Sequence, residues 1–199
     1  MSFRPALIVV LSLLGASLGR ADITIDFEGI SESTSITNQF SGVQFTNAVV
    51  FGPSLNVSEF PPHSGINVVL DIGGPIRIDF LAPVSDFHAF LTYTVPVTAT
   101  AFNASNAPVD SVTSQFAANY TSTGNPPNEE FSLSSAAGIS SVVLAGDPNG
   151  ASFAMDDVIY SPLGSVAAPE ASSGALVAGL LTVLVFWKGR SLRSAEQRR

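Results

Sequence analysis

Ile76-Arg77-Ile78-Asp79-Phe80 alternates strictly, with three apolar side chains on one side and Arg77 and Asp79 on the other. A two-residue period belongs to a strand with one face buried and one face in water. The same rhythm sets Ile23, Ile25 and Phe27 against Thr24, Asp26 and Glu28, and it starts again at Val43 and Phe45, continuing to Val49 and Phe51. Further strand candidates are Phe87 to Val95, Val97 to Phe102, Val109 to Phe116, Phe131 to Leu133, Ile139 to Ala145 and Ser152 to Tyr160. Breakers part these runs at short intervals: Gly52-Pro53, Pro61-Pro62, Gly73-Gly74-Pro75, Ala107-Pro108, Gly124 to Pro127 and Asp147-Pro148-Asn149-Gly150. No stretch between Asp22 and Tyr160 keeps a helical apolar period. Eight to ten short strands divided by turns predict an all-β fold, an antiparallel β-sandwich with a jelly roll foremost.

Outside this region, 22–160, both ends of the chain are apolar. Residues 1–21 read as a signal peptide: Arg4, an apolar run from Ala6 to Leu14, then small residues permitting cleavage after Ala21. Residues 161–173, rich in Pro, Ala, Gly and Ser, form a linker. An uncharged run from Ala171 to Trp187 follows, and five of the eight basic residues of the chain lie beyond it. Such a run rises about 26 Å as a helix, enough to cross a bilayer core with snorkelling flanks. A core helix would be apolar on one face, whereas this run is apolar all round. Residues 174–187 are therefore read as a transmembrane helix, and 188–199 as its basic cytoplasmic tail.

The order Pro-Glu box, hydrophobic helix, Arg-rich end resembles the PEP-CTERM sorting signal of Gram-negative bacteria. Pro169 and Glu170 match the box, and Ala171 stands where its second Pro usually is. That departure bears on cleavage and leaves the membrane segment intact. The resemblance implies recognition by a membrane-embedded exosortase. It also implies anchoring by the C-terminal helix, then release to the cell envelope or extracellular matrix if the tail is removed.

Charge narrows the function classes. Fourteen carboxylates lie between Asp22 and Asp157 against the single Arg77, so the domain carries thirteen net negative charges. A surface of that sign repels phosphate backbones, which excludes nucleic acid as a partner, and it favours divalent cations. The chain has no cysteine. An exported domain without disulfides leans bacterial, and thiolate metal sites and cysteine nucleophiles are excluded.

Catalytic motifs are scarce, and the chain is read as non-enzymatic. Its two histidines are His63, in the loop Phe60-Pro61-Pro62-His63-Ser64-Gly65, and His88, in a strand pattern that suits a hydrogen-bonded structural residue. Neither belongs to a nucleophile elbow or a His-rich metal motif.

Two acidic blocks open and close the domain: Ile25-Asp26-Phe27-Glu28-Gly29 and Phe153-Ala154-Met155-Asp156-Asp157-Val158. Together with Ile36 to Phe45 they are similar to the first and last strands of exported bacterial sandwiches, in outline those of galactose-binding-like jelly rolls and carbohydrate-binding modules. That resemblance implies terminal strands side by side and a structural calcium, for which Asp26, Glu28, Asp156 and Asp157 are the candidate ligands. Strand alternation turns one of the adjacent Asp156 and Asp157 inward, where a carboxylate needs a cation or turn amides to offset its desolvation.

For a sugar ligand the chemistry asks for an aromatic face and nearby amides. The only tryptophan, Trp187, lies at the membrane boundary. The candidates are therefore Tyr93, Tyr120 and Phe60, with Asn125 in the long polar loop around Tyr120. Two roles compete: a structural or adhesive component of the extracellular matrix, and a module binding extracellular polysaccharide.

Overall fold

The computed structural model describes residues 21–164 apart from 53 and 56; the segments read as sorting box and membrane run, and all but the last residue of that read as signal peptide, lie outside the described residues. Ten strands and one short 3-10 turn, Thr121–Thr123, make up the domain. The strands are β1 (Ile23–Ile25), β2 (Ser35–Ile36), β3 (Val43–Thr46), β4 (Ala48–Phe51), β5 (Val68–Ile72), β6 (Ile76–Tyr93), β7 (Thr98–Phe102), β8 (Pro108–Thr113), β9 (Glu129–Ala145) and β10 (Gly150–Pro162). Every pairing is antiparallel, in the order β2-β4-β5-β10-β6-β9-β7-β8, with β1 added beside β10 and β3 beside β6. The all-β antiparallel sandwich expected from the alternation is what the described residues form.

Two strands each join sequence patterns that read as separate. Ile76 to Phe80 and Phe87 to Tyr93 belong to one strand, β6, of 18 residues. Phe131 to Leu133 and Ile139 to Ala145 likewise belong to β9, of 17 residues. The β6–β9 register slips between Asp79 and Asp86, so both strands bend together at the exposed Leu81-Ala82-Pro83 corner. Slippage of this kind is how a bulge turns a strand from one layer into the next. The first half of β6 is flanked by β3 and the second half of β9, and its second half by β10 and the first half of β9.

One contiguous core unites the two halves: Ile76, Ile78 and Val142 from one side, Phe87, Leu91, Phe131 and Leu133 from the other. Edge-to-face rings stitch it, with Phe27 against Phe40 and Phe45, Phe80 against Phe87, and Tyr93 against Phe131. Each fully buried Phe stabilises the fold by about 1.5–3 kcal/mol through area removed from water.

The alternation from Val43 does not run through to Phe51. Val43 and Phe45 are buried, but so are Ala48 and Val50, while Val49 and Phe51 are only half-buried. Asn47 stands between the strands at φ 60°, in the left-handed region that Asn tolerates better than most residues. Its side chain donates to Pro75 O at 3.0 Å. This single turn residue shifts the parity by one.

β10 departs from alternation most. Every residue from Ser152 to Val158 is buried, which a half-wetted strand cannot achieve. Its outer face must be covered, and the segment between β4 and β5 covers it.

Candidate functional site

The covering segment, 52–67, is held down by carboxylates, each from a distant part of the chain. Glu28 accepts from the backbone N–H groups of Ile66 at 2.7 Å and Asn67 at 2.8 Å. Asp156 accepts from Ser64 N–H at 2.8 Å and Asp157 N–H at 2.8 Å. Asp157 takes the Ser64 hydroxyl at 2.8 Å and lies 2.6 Å from His63 Nδ1. Asn67 is buried and donates to the carbonyls of Phe27 and Ile30, tying the loop to the turn after β1. Gly65 sits at φ +55° with the Glu28 carboxylate where a Cβ would go, so only glycine lets the loop approach this closely.

Asp156 and Asp157 therefore do not divide between the two faces. Asp157 adopts φ 45° within a register shift of β10, and both carboxylates reach the same loop residue, Ser64. Backbone amides, one of the two remedies expected for a buried carboxylate, supply the partners of Asp156, while Asp157 is met by the Ser64 hydroxyl and the His63 ring. Burial pushes the Asp156 carboxyl up to about 6 despite the amides of Ser64 and Asp157, which favour the ionised form.

The candidate calcium ligands occupy different duties. Asp26 accepts from Glu28 N–H at 3.1 Å, Glu28 holds the 66–67 amides, and Asp156 and Asp157 hold His63 and Ser64. Among the described residues no three His, Asp or Glu side chains converge on a point that would suit a metal ion. As placed, Glu28, Asp156 and Asp157 hold the loop, and Asp26 braces the turn that carries Glu28.

His63, fixed by Asp157, lies flat on Phe90 with ring centroids 3.6 Å apart and planes 5° from parallel. His88 is hydrogen-bonded to Glu130 at 2.8 Å on the same outer face, the structural role its strand position predicts. Ser64 bonds to Asp157 and not to His63, so this Ser, His and Asp do not form the nucleophile-to-base relay of a hydrolase.

A second loop, 114–128, meets the first. Thr121 N–H donates to Glu59 O at 3.0 Å, and Ser122 donates to the Glu59 carboxylate through its N–H, at 2.9 Å, and its hydroxyl. These bonds hold the Glu59 carboxyl below its usual range. Asn128 Nδ2 donates to Pro61 O at 3.1 Å. Across this seam Phe60 and Tyr120 stack at 6.0 Å with planes 27° apart, both half-exposed. Beside them an apolar depression of about 130 Å³ is lined by Leu55, Phe60, Leu70, Thr94 and the first residues of β10, Ala151 to Phe153.

Of the residues expected to hold sugar, Phe60 and Tyr120 are thus brought together, and Asn125 lies in the same loop with its amide donating to Ala118 O at 2.8 Å. Tyr93 is not available. Its ring is fully buried against Phe131, and its hydroxyl donates to Glu129 and accepts from Phe116 N–H. Burial and the Glu129 carboxylate push its phenol up to about 12. Asn119 is also structural: buried, it accepts from Tyr93 N–H at 2.7 Å and donates to the carbonyls of Leu91 and Pro126. Leu55 and Leu70, which also line the depression, went unmarked in the sequence because a lone leucine beside a turn, or one inside the Val68-Val69-Leu70 run, carries no signal of exposure.

No protein-family model matches the chain, and no curated protein matches it. Solved structures do. The K2 cleaved adhesin domain of Lys-gingipain is similar over 70% of this chain and 99% of its own, at 12% identity and a TM-score of 0.46. The C-terminal family 22 carbohydrate-binding module of Clostridium thermocellum Xyn10B is similar over 76% of this chain and 99% of its own, at 13% identity and 0.38. A xylan-binding domain of the same module family covers 68% of this chain and 97% of its own, at 11% identity and 0.34. Likeness of this degree carries no information on ligand or activity.

Proposed function

We propose that this chain is an exported, non-enzymatic adhesive protein of the bacterial envelope or extracellular matrix, sorted by its PEP-CTERM-like tail, whose galactose-binding-like sandwich grips polysaccharide. The observation that carries the reading is the Phe60–Tyr120 pair, half-exposed at the seam of two loops beside an apolar depression. A paired aromatic surface gives a pyranose ring an apolar face to lie on at little entropic cost, because both side chains are already held. The loops carrying it are fastened to each other through Glu59 and Asn128, and to the sheet through Glu28 and Asp156, which supports a rigid platform. The pairing of β1 with β10 supports the terminal-strand arrangement expected of the fold.

The test is retention on a panel of insoluble and soluble polysaccharides, with Phe60→Ala and Tyr120→Ala beside the parent. Each substitution should weaken binding by on the order of 1–3 kcal/mol, judged by aromatic stacking elsewhere, with the far-UV dichroism unchanged. No saturable binding of the parent to any glycan overturns the polysaccharide reading and leaves a purely structural matrix role. Binding that survives both substitutions moves the site elsewhere on the domain.

A further inference from the structure

We infer that the corner of the sandwich where the chain leaves for its C-terminal segment rests on the lipid bilayer, with Leu81, Leu163 and Ile23 in contact with the interface. The inference rests on the expectation that the run 174–187 anchors the chain in the membrane before any release of the tail. Three of the six large apolar side chains left exposed among the described residues belong to this one end, and Leu81, at 69%, is the most exposed of them. Their neighbourhood is built by direct contacts. Leu163 N–H donates to Pro83 O at 2.9 Å, beside the Leu81-Ala82-Pro83 bend. Leu81 N–H donates to Gly42 O, and a side chain at Gly42 would touch the Tyr160 hydroxyl. Ile23 is the strand partner of Tyr160.

What covers this surface is set by where the chain goes next. Only nine residues, 165–173, separate Gly164 from the apolar run at 174–187. Nine residues span at most about 30–32 Å even when fully extended, so the corner cannot stray far from a membrane that holds the run. Apolar side chains kept at that distance from a bilayer partition into its interface. The Phe60 platform adjoins Ala151 to Phe153, at the start of β10, whereas the chain exits at the end of that strand. A bilayer at the exit corner leaves the platform facing outward.

Charge sets the lipid preference. Asp22, bonded to Ser161, and Asp86, bonded to Ser85, flank the corner. The contact is therefore apolar in origin and weakens as anionic lipid is added.

Because the chain has no cysteine, single labelling sites are clean. Full-length protein carrying Leu81→Cys, Leu163→Cys or, at the other end of β10, Asn149→Cys is labelled with an environment-sensitive fluorophore. It is then reconstituted into phosphatidylcholine vesicles containing spin-labelled lipid. Quenching is expected to be several-fold stronger at 81 and 163 than at 149. It should fall at 163 when Leu81→Asp is added, and fall again with phosphatidylglycerol. Since Leu81 is exposed, the Asp variant should melt with the parent, which separates lost contact from lost fold. Protein that floats with vesicles while 81 and 163 stay as unquenched as 149 overturns the inference and leaves anchoring intact. Protein that fails to float with vesicles overturns the anchoring itself, and the inference with it.

Discussion

The central strands carry two faces that are closed by different means. On the inner face, Phe87, Ala89, Leu91 and Tyr93 of β6 meet Phe131 and Leu133 of β9, and apolar contact alone excludes water. On the outer face, Phe90 and Asp156 are roofed by a loop whose seal is polar, made by carboxylates receiving backbone N–H groups. Apolar contact has no direction, so the inner face tolerates rearrangement and fails by losing volume. Charge-assisted hydrogen bonds are directional and local, so the roof fails one tether at a time. The rigid part of the molecule and its candidate binding surface thus depend on separate physics.

Phe131→Ala should sharpen that contrast most. It empties volume at the centre of the inner face and should cost about 3–5 kcal/mol in a urea or thermal melt. A loss below that range would mean the core collapses around the gap. Glu28→Ala leaves two loop amides without their acceptor and should cost about 1–2 kcal/mol, with hydrogen exchange speeding up at Ile66 and Asn67 and not at Leu91 or Phe131. Uniform acceleration would show that roof and core unfold as one unit.

The two faces should also differ in their response to acid. Burial raises both Asp156, to about 6, and Asp71, which is fully buried and accepts from Ser152 and Phe153 N–H at 2.7 and 3.0 Å. A carboxyl whose folded value lies above its unfolded one binds protons more readily in the folded state. Its stabilising share is complete below the unfolded value near 3.8 and is lost as pH rises through the folded value. Melting temperature should therefore climb as pH falls from 7 toward 5, and Asp156→Asn should flatten most of that slope. A slope unchanged by that substitution would place the titration elsewhere. The smallest effect concerns calcium. Glu28, Asp156 and Asp157 already accept from loop donors that an ion would have to displace, so chelation followed by calcium re-addition tests the expected structural calcium, and an unmoved melting temperature would count against it. A rise approaching about 2.7 kcal/mol at a hundredfold excess over Kd would mean that the loop rearranges into a cage.

The inner face was legible because its signal is local. Ile76, Ile78 and Phe80 declare it within five residues, and the parity of Phe87, Ala89 and Leu91 runs on to Tyr93. That parity already contains the burial of Tyr93, and reading Tyr93 as a stacking surface set the residue type above its position. Asn47 hid a change of parity, because an asparagine inside an apolar run does not announce a left-handed turn. The roof was not legible for a different reason. Glu28 and Asn67 are 39 residues apart, and Ser64 and Asp156 are 92 apart, so no pattern along the chain links donor to acceptor. What the sequence did hold was the stock of parts: two prolines and a glycine within Phe60 to Gly65, acids at both ends of the domain, and Phe60 and Tyr120 as candidates without a hint that they would meet.

If the domain grips at its platform and is held at its C-terminus, as proposed, the course of β10 has a mechanical consequence. Load applied at the Phe60–Tyr120 platform and resisted at the exit after Pro162 runs along a strand of 13 residues with β5 and β1 on one side and β6 on the other. Rupture then requires the rungs of those ladders to slide together, which is shear. Pulling the two termini apart would instead peel the three-residue β1 from β10 rung by rung. The same domain is therefore tough along the line between grip and tether and weak along the line between its ends.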